Sequence, residues 1–299
     1  MKPFRWILAF LLVVSILHTR AGAVQITDDL GTTVTLSQPA ARIISLYGAF
    51  AEMLYAVGAG SRLAARTQAD AYPPEILKLP SVGTHMKPNF EMIIGFKPDL
   101  VIQSASRREE MPDMERLSGV GIPVAVFAPK SFEDIFSTME RLGVITGCEG
   151  EAGAAVARMK QRLARVQAKL AGIEKRRRVF FEIRAEPLTG AGRGSIVQRI
   201  LAAAGAENVL RSEKAIVQYS LEALLLDDPD VYVMQRGPMN RNPAELAARA
   251  HFDRLRCVKE GKIVPVDEFI FSRPGPRCVE AVEQLAAALY PTRFDEGGR

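Results

Sequence analysis

Arginine and tyrosine recur where loops should leave the carboxyl ends of strands, the place where open α/β sheets hold their ligands. In the first half of the chain these loops carry Tyr47, Gln68 with Tyr72, Thr84-His85-Met86-Lys87, and Ser104 with Arg107 and Arg108. In the second half they carry Arg184, Gly190-Ala191-Gly192-Arg193-Gly194-Ser195, Gln218 with Tyr219, Arg236, and Phe269 to Arg273, including Phe271. Guanidinium forks pair with carboxylate or catecholate oxygens, so the set suits an anionic ligand. A neutral imidazole at His85 has the chemistry to fill an open axial position on a metal, and equally to act as an ordinary hydrogen-bonding histidine. Tyr47 and Tyr72 stand open between a phenolate ligand and a packing ring with a wet hydroxyl. The glycines at 190, 192 and 194 run G-x-G-x-G, not the dinucleotide G-x-G-x-x-G. Two readings remain for them: backbone N–H groups facing a ligand oxygen at a helix N-terminus, or a purely structural loop.

One short pattern occurs twice and implies what must position these side chains. Phe90-Glu91-Met92-Ile93-Ile94 leads through Lys97-Pro98-Asp99 into Leu100-Val101-Ile102-Gln103, and Leu221-Glu222-Ala223-Leu224-Leu225 leads through Asp228-Pro229-Asp230 into Val231-Tyr232-Val233. In both copies the Glu stands seven residues before the Pro, and the copies lie 131 residues apart. Each reads as a helix turned off by proline and followed at once by a buried strand. Two similar α/β lobes follow, with the loops above between them.

The remaining elements fit this plan. Ile26 to Leu36 predicts a hairpin turning at Asp29-Leu30-Gly31, Arg42 to Leu46 a strand, and Ala49 to Val57 a helix stopped at Gly58. Met114 to Leu117 predicts a helix and Pro123 to Phe127 a strand, so strand and helix alternate as in a parallel sheet. From Glu149 to Arg177 there is no Pro, and Val156, Met159, Leu163, Val166, Leu170 and Ile173 recur at helical spacing. This predicts one amphipathic helix of about seven turns, roughly 40 Å long, joining the lobes. The second lobe repeats with strands at Val179 to Ile183, Asp230 to Met234 and Gly261 to Val266, and helices from Ser195 to Ala204 and from Pro276 to Tyr290. The expected organisation is a leader over 1–23, a lobe over 24–148, the joining helix over 149–177 and a second lobe over 178–299.

Lys2 and Arg5, the apolar run from Trp6 to Leu17 and the small residues Ala21-Gly22-Ala23 read as a secretory signal peptide, too short in its apolar part to span a bilayer. Its removal takes the net charge from +5 to +2, since it holds Lys2, Arg5 and Arg20 and no acid. With no Cys beside the cleavage site, the expectation is a protein free in the periplasm. The charge gives no basis for nucleic-acid binding, and Lys175-Arg176-Arg177-Arg178 reads as the solvated end of the joining helix. Cys148, Cys257 and Cys278 have no zinc-site spacing. A Cys257–Cys278 disulfide and free thiols are both open.

Taken in order, the signal peptide, Ile26-Thr27-Asp28-Asp29-Leu30-Gly31, Pro39 to Leu46, Gly58-Ala59-Gly60, both Glu…Pro-Asp units, the long helix and Arg273-Pro274-Gly275-Pro276-Arg277 resemble the periplasmic binding proteins of ABC importers for iron chelates, haem and cobalamin. The resemblance covers essentially the whole chain after the leader. It implies two Rossmann-like α/β lobes joined by one long helix with a ligand cleft between them, and no catalytic residues. It implies a monomeric receptor for a metal chelate, a ferric siderophore ahead of haem or cobalamin, with no cofactor of its own. Glu91 and Glu222 match the positions at which the family docks on a dimeric inner-membrane ABC permease. The cleft set is then Tyr47, Tyr72, His85, Arg107, Arg184, Arg193, Tyr219, Arg236, Phe271 and Arg273, with His85 as the candidate metal ligand. A chelatase-like enzyme of related fold is the rival from another class.

Overall fold

The computed structural model describes residues 22–105 and 113–295; the leader before Gly22 and Arg107 lie outside them. An antiparallel hairpin of β1 (Val24–Thr27) and β2 (Thr33–Leu36) precedes a first sheet built from β3 (Ile43–Ser45), β4 (Leu63–Ala65), β5 (Leu100–Ser104) and β6 (Val124–Phe127). That sheet is wholly parallel in the order β4-β3-β5-β6. Around it lie α1 (Gly48–Ala56), α2 (Phe90–Gly95), α3 (Asp113–Gly119) and α4 (Phe132–Thr146). After α5 (Glu149–Lys169) comes a second sheet of β7 (Arg177–Arg184), β8 (Thr189–Ala191), β9 (Ala206–Asn208), β10 (Ile216–Gln218), β11 (Val231–Arg236) and β12 (Ile263–Asp267). Its path runs β10-β8-β7-β11-β12, with β9 alongside β7. Its helices are α6 (Ile196–Ala203), α7 (Leu221–Asp227), α8 (Arg256–Lys259), α9 (Glu268–Phe271) and α10 (Cys278–Leu289). Two α/β lobes around parallel strands are therefore present.

The joining helix is shorter than its hydrophobic pattern predicts. α5 has 21 residues, about 32 Å at 1.5 Å per residue, and stops because Leu170 caps it and Gly172 turns into the left-handed region at φ +78°. Lys175 and Arg176 consequently lie in a connector and Arg177 and Arg178 open β7, so the basic run is not a helix end. α5 still packs on α4 and α1 on one side and on α10 and α6 on the other. One apolar core runs continuously from Ile26 through Val156 and Met159 to Leu289. α4 is the helix the sequence reading missed. Ser131 accepts from the Asp134 amide, the Asp134 carboxylate accepts from the Ser131 amide, and Gly147 closes the helix in the left-handed region.

The duplicated motif has a common physical role. Asn89 and Ser220 are the N-caps of α2 and α7, each accepting from the amide three residues on, at 3.0 and 3.1 Å. Lys97 and Asp228, the residues before the two prolines, both turn left-handed, at φ +48° and +36°. The following aspartates then pin the start of β3 in the first sheet and of β7 in the second. Asp99 accepts from the Ala41 and Arg42 amides at 2.7 and 3.0 Å, and Asp230 accepts from the Arg178 amide at 2.9 Å. Each Asp amide donates back, to the Arg42 and Arg178 carbonyls. Registers Ile43↔Leu100 and Val179↔Val231 follow.

Burial would raise the Asp230 carboxyl, but the Arg178 amide and the Arg256 guanidinium outweigh it and hold the group below the usual carboxylate range. Its contribution to stability is therefore present above about pH 4 and lost as pH falls through the lowered value. Asp230→Ala should cost about 1.5–3 kcal/mol at pH 7, the worth of a charge-assisted hydrogen bond. In urea titrations the gap between variant and parent should narrow steadily as pH is lowered below about 4.

Candidate functional site

The carboxyl ends of the parallel strands of the two sheets meet. From the first come Tyr47 after β3, Gln68 to Tyr72 after β4 and the 83–88 turn before α2. From the second come Arg184 at the end of β7, Arg236 at the end of β11 and Phe269 to Arg277 after β12. The edges touch at the floor, where Gly275 packs against Ala49 and the Arg273 guanidinium donates to the Ala69 carbonyl at 3.2 Å.

The first wall is aromatic. Tyr47, the residue before α1, is half-buried, with its ring edge-on to Phe50 at 5.6 Å and to His85 at 6.0 Å. Burial pushes its phenol up to about 12, against the opposing pull of Arg273, so it is a neutral hydrogen-bonding group at pH 7. His85 is half-buried beside it, and Met86 stands exposed on the same turn. Tyr72 is exposed, but one face of its ring carries the Arg277 guanidinium, 4.4 Å from the centroid.

The second wall is cationic. Arg184 is exposed and its side chain has no hydrogen-bond or ion-pair partner among the described residues. Arg236 donates to Glu245 at 2.8 Å, and with Arg241, Asn242 and Pro243 it lines a cavity of about 560 Å³. Arg241 was missed in the sequence, although it lies only five positions past Arg236 in the same loop. A buried carboxylate fixes that loop. Glu182, fully enclosed on β7, accepts from the Tyr232 hydroxyl, from Asn240 Nδ2 at 2.9 Å and from both Nη atoms of Arg249. Asn240 in turn accepts from the Ala185 amide at 2.9 Å. Breaking such a pair leaves a buried charge without a partner, so Glu182→Ala should cost about 3–5 kcal/mol in chemical denaturation. It should also weaken anion binding by letting the 237–249 loop move.

Several expected cleft residues lie elsewhere. Phe271 is fully buried, its ring 6.1 Å from Phe181, and belongs to the core; Phe269 is the half-exposed ring of that short helix. Arg193 and its glycine loop sit at the wrong edge. β8 runs antiparallel to β7, so its following loop points away from the end that carries Arg184. The Gly192 and Arg193 amides donate to the Ala215 and Ser212 carbonyls, and a Cβ on Gly192 or Gly194 would overlap backbone carbonyls of 213 and 214. Those glycines are structural, and Arg193 meets Glu213 on the surface at 3.5 Å. Tyr219 donates its hydroxyl to Asp227 and tilts its ring on Phe180 at 5.8 Å, leaving no polar tip for a ligand. Arg273 is only 13 % exposed, committed to inter-lobe contacts. All three cysteines are free and buried, and Cys257 and Cys278 fall in different apolar clusters, so no disulfide joins them. Among the described residues no three metal-ligating side chains cluster.

Glu91 and Glu222 occupy the same place in the two lobes, the second helical position of α2 and α7, and both are exposed. Hydrogen bonds from its own amide and from Ser220 hold the Glu222 carboxyl below its ordinary range. Met92 and Ile94 flank Glu91, and Leu226, one turn from Glu222, is 88 % exposed.

The family model described as periplasmic binding protein matches residues 43–268. The chain is 31 % identical to YvrC of Bacillus subtilis (strain 168), an uncharacterized ABC transporter substrate-binding lipoprotein, over 93 % of this chain and 89 % of that one. The structure superposes on the periplasmic vitamin B12 binding protein BtuF of Vibrio cholerae with a TM-score of 0.71 and 26 % identity, covering 86 % of this chain and 99 % of that one. It superposes on a periplasmic heme binding protein from Pseudomonas aeruginosa with a TM-score of 0.74 and 27 % identity, covering 85 % and 94 %. The Bacillus relative overturns the expectation of a protein free in the periplasm, because that relative is a lipoprotein along nearly the same length. A missing cysteine beside Ala23 does not carry that conclusion.

Proposed function

The chain belongs to the periplasmic binding protein family, and on that premise we propose that it captures a metal chelate, a ferric siderophore first, and hands it to an ABC permease. As a substrate-binding component of such a system it is not an enzyme. The ligand lies between lobes spanning 24–148 and 178–299, against the aromatic wall of Tyr47, His85 and Tyr72 and the cationic wall of Arg184, Arg236 and Arg241. The observation that carries this reading is the cationic wall: among the described residues Arg236 and Arg241 line one cavity with a single carboxylate, Glu245, and Arg184 stands exposed at the end of the neighbouring strand β7. Such a surface favours carboxylate or catecholate oxygens on the chelate. Glu91 and Glu222 dock the two lobes on basic pockets of a dimeric permease. Absorption spectra of protein purified from its own host test the ligand class. A ferric catecholate band supports it, and a Soret band overturns it in favour of haem.

The haem reading has one observation of its own, the Tyr47–His85 pair, which could offer an axial ligand from either ring. The neutral Tyr47 phenol weighs against a phenolate there. Cobalamin has less support, because the only Trp of the chain is Trp6, in the leader. The chelatase rival needs a base beside a metal ligand. His85 and His251 stand before α2 and before α8, in different lobes, so they do not supply that pair.

A further inference from the structure

We propose that Arg273 and Arg277 form an inter-lobe latch, with Glu52 as its catch, that holds the ligand-free cleft at one aperture. α1 reads Gly-Ala-Phe-Ala-Glu-Met-Leu-Tyr-Ala, and its single charged residue, Glu52, is 4 % exposed. A carboxylate in that apolar helix needs a partner, and the partner comes from the other lobe. Arg277, at the start of α10, grips it with a two-pronged fork, Nε to Oε2 at 2.8 Å and Nη2 to Oε1 at 2.6 Å. Arg273 Nη1 stands 3.9 Å from the same carboxylate, while its Nη2 reaches the Ala69 carbonyl and its guanidinium lies 4.1 Å over the Phe269 ring.

The surroundings are shaped for the strap. A Cβ on Gly48 would overlap Arg273 Nη1 and Asp70 Oδ1, so the first lobe leaves space for the guanidinium where any other residue would exclude it. Asp70 lies 2 % exposed beside it. Its Oδ2 accepts from the Thr67 amide at 2.8 Å, but its Oδ1 has no hydrogen-bond partner. A buried acceptor without a donor, next to a guanidinium held elsewhere, is a second station that Arg273 can take when the lobes shift. The strap faces Glu52 and Asp70 from the first lobe and Asp267, Glu268 and Glu280 from its own, so carboxylates outnumber guanidiniums around it. α5 restrains the lobes along the back; the strap restrains them at the cleft floor.

The test is the inter-lobe distance in ligand-free protein, measured by pulsed electron resonance between spin labels at Leu77→Cys and Leu226→Cys. Both positions are exposed and the three native thiols are buried. The parent should give one narrow distribution. Glu52→Gln, Arg277→Met and the double variant should give a longer mean and a broader spread. The double variant leaves neither member of the forked pair charged, which spares the fold the unpaired buried charge that either single change creates. Glu283→Gln, which breaks the Arg162 pair between α5 and α10, serves as the control and should leave the distance unchanged. An unaltered distribution in the folded double variant overturns the latch. The experiment involves no chelate and no permease, so a wrong ligand class leaves its outcome intact.

Discussion

Uptake through the permease should fall to background in a Glu91→Arg/Glu222→Arg double variant, while affinity for the chelate stays at the parent value. Both carboxylates project from the second position of a capped helix, at matching places in the two lobes, and neither takes part in the core. Each would meet a basic pocket that desolvates it on docking. Truncating one partner of such a pair costs about 2–5 kcal/mol, and reversing the charge adds repulsion. Losing both anchors should lower the rate of productive docking by more than about a thousandfold, since each 1.4 kcal/mol is tenfold. Exposed pairs that remain hydrated contribute far less, so single variants with near-normal uptake would place the carboxylates in the rim of the interface. Normal transport by the double variant would remove the docking assignment. Because neither residue touches the cleft, calorimetry should give equal affinities for parent and variant.

The second large effect is on ligand affinity. Replacing Arg184, Arg236 and Arg241 together by Ala should weaken an anionic chelate by several kcal/mol, at about 1.5–3 kcal/mol for each charged hydrogen bond. Arg184 and Arg241 should each contribute more than Arg236, because neither has a competing partner among the described residues, whereas Arg236 is drawn toward Glu245. Removing Arg236 also leaves Glu245 facing the ligand, and that repulsion is part of the loss. Unaltered affinity in the triple variant would mean that the chelate does not touch this wall.

The duplicated unit was legible in the sequence because its causes are local. A capping residue, a proline and an aspartate act within ten positions of one another, and their order alone implies helix, stop and strand. The end of α5 was not legible. Ile173 continues the apolar spacing past Ala171-Gly172, and only the backbone shows that Gly172 has already left the helix. The Gly190–Gly194 loop was placed at the wrong edge because the direction of a three-residue strand, β8, depends on its partners and not on its own residues. Phe269 and Phe271 are two positions apart in a four-residue helix, and burial of one and not the other is set by Phe181 across the sheet. Glu52 escaped notice for the same reason. Its partner Arg277 is 225 positions away, and what the sequence displays is only a lone carboxylate within an apolar run. α4, by contrast, carried a readable signal in Ser131, Asp134 and the spacing of Phe132, Ile135, Phe136 and Met139.

Calorimetric titration of the purified protein with a ferric catecholate, haem and cyanocobalamin, repeated on the triple arginine variant, tests the central claim most directly. Saturable binding of the ferric catecholate, lost or strongly weakened in the variant, is the predicted result. Failure to bind any of the three, or binding that the variant leaves untouched, would contradict a chelate held against the Arg184–Arg236–Arg241 wall.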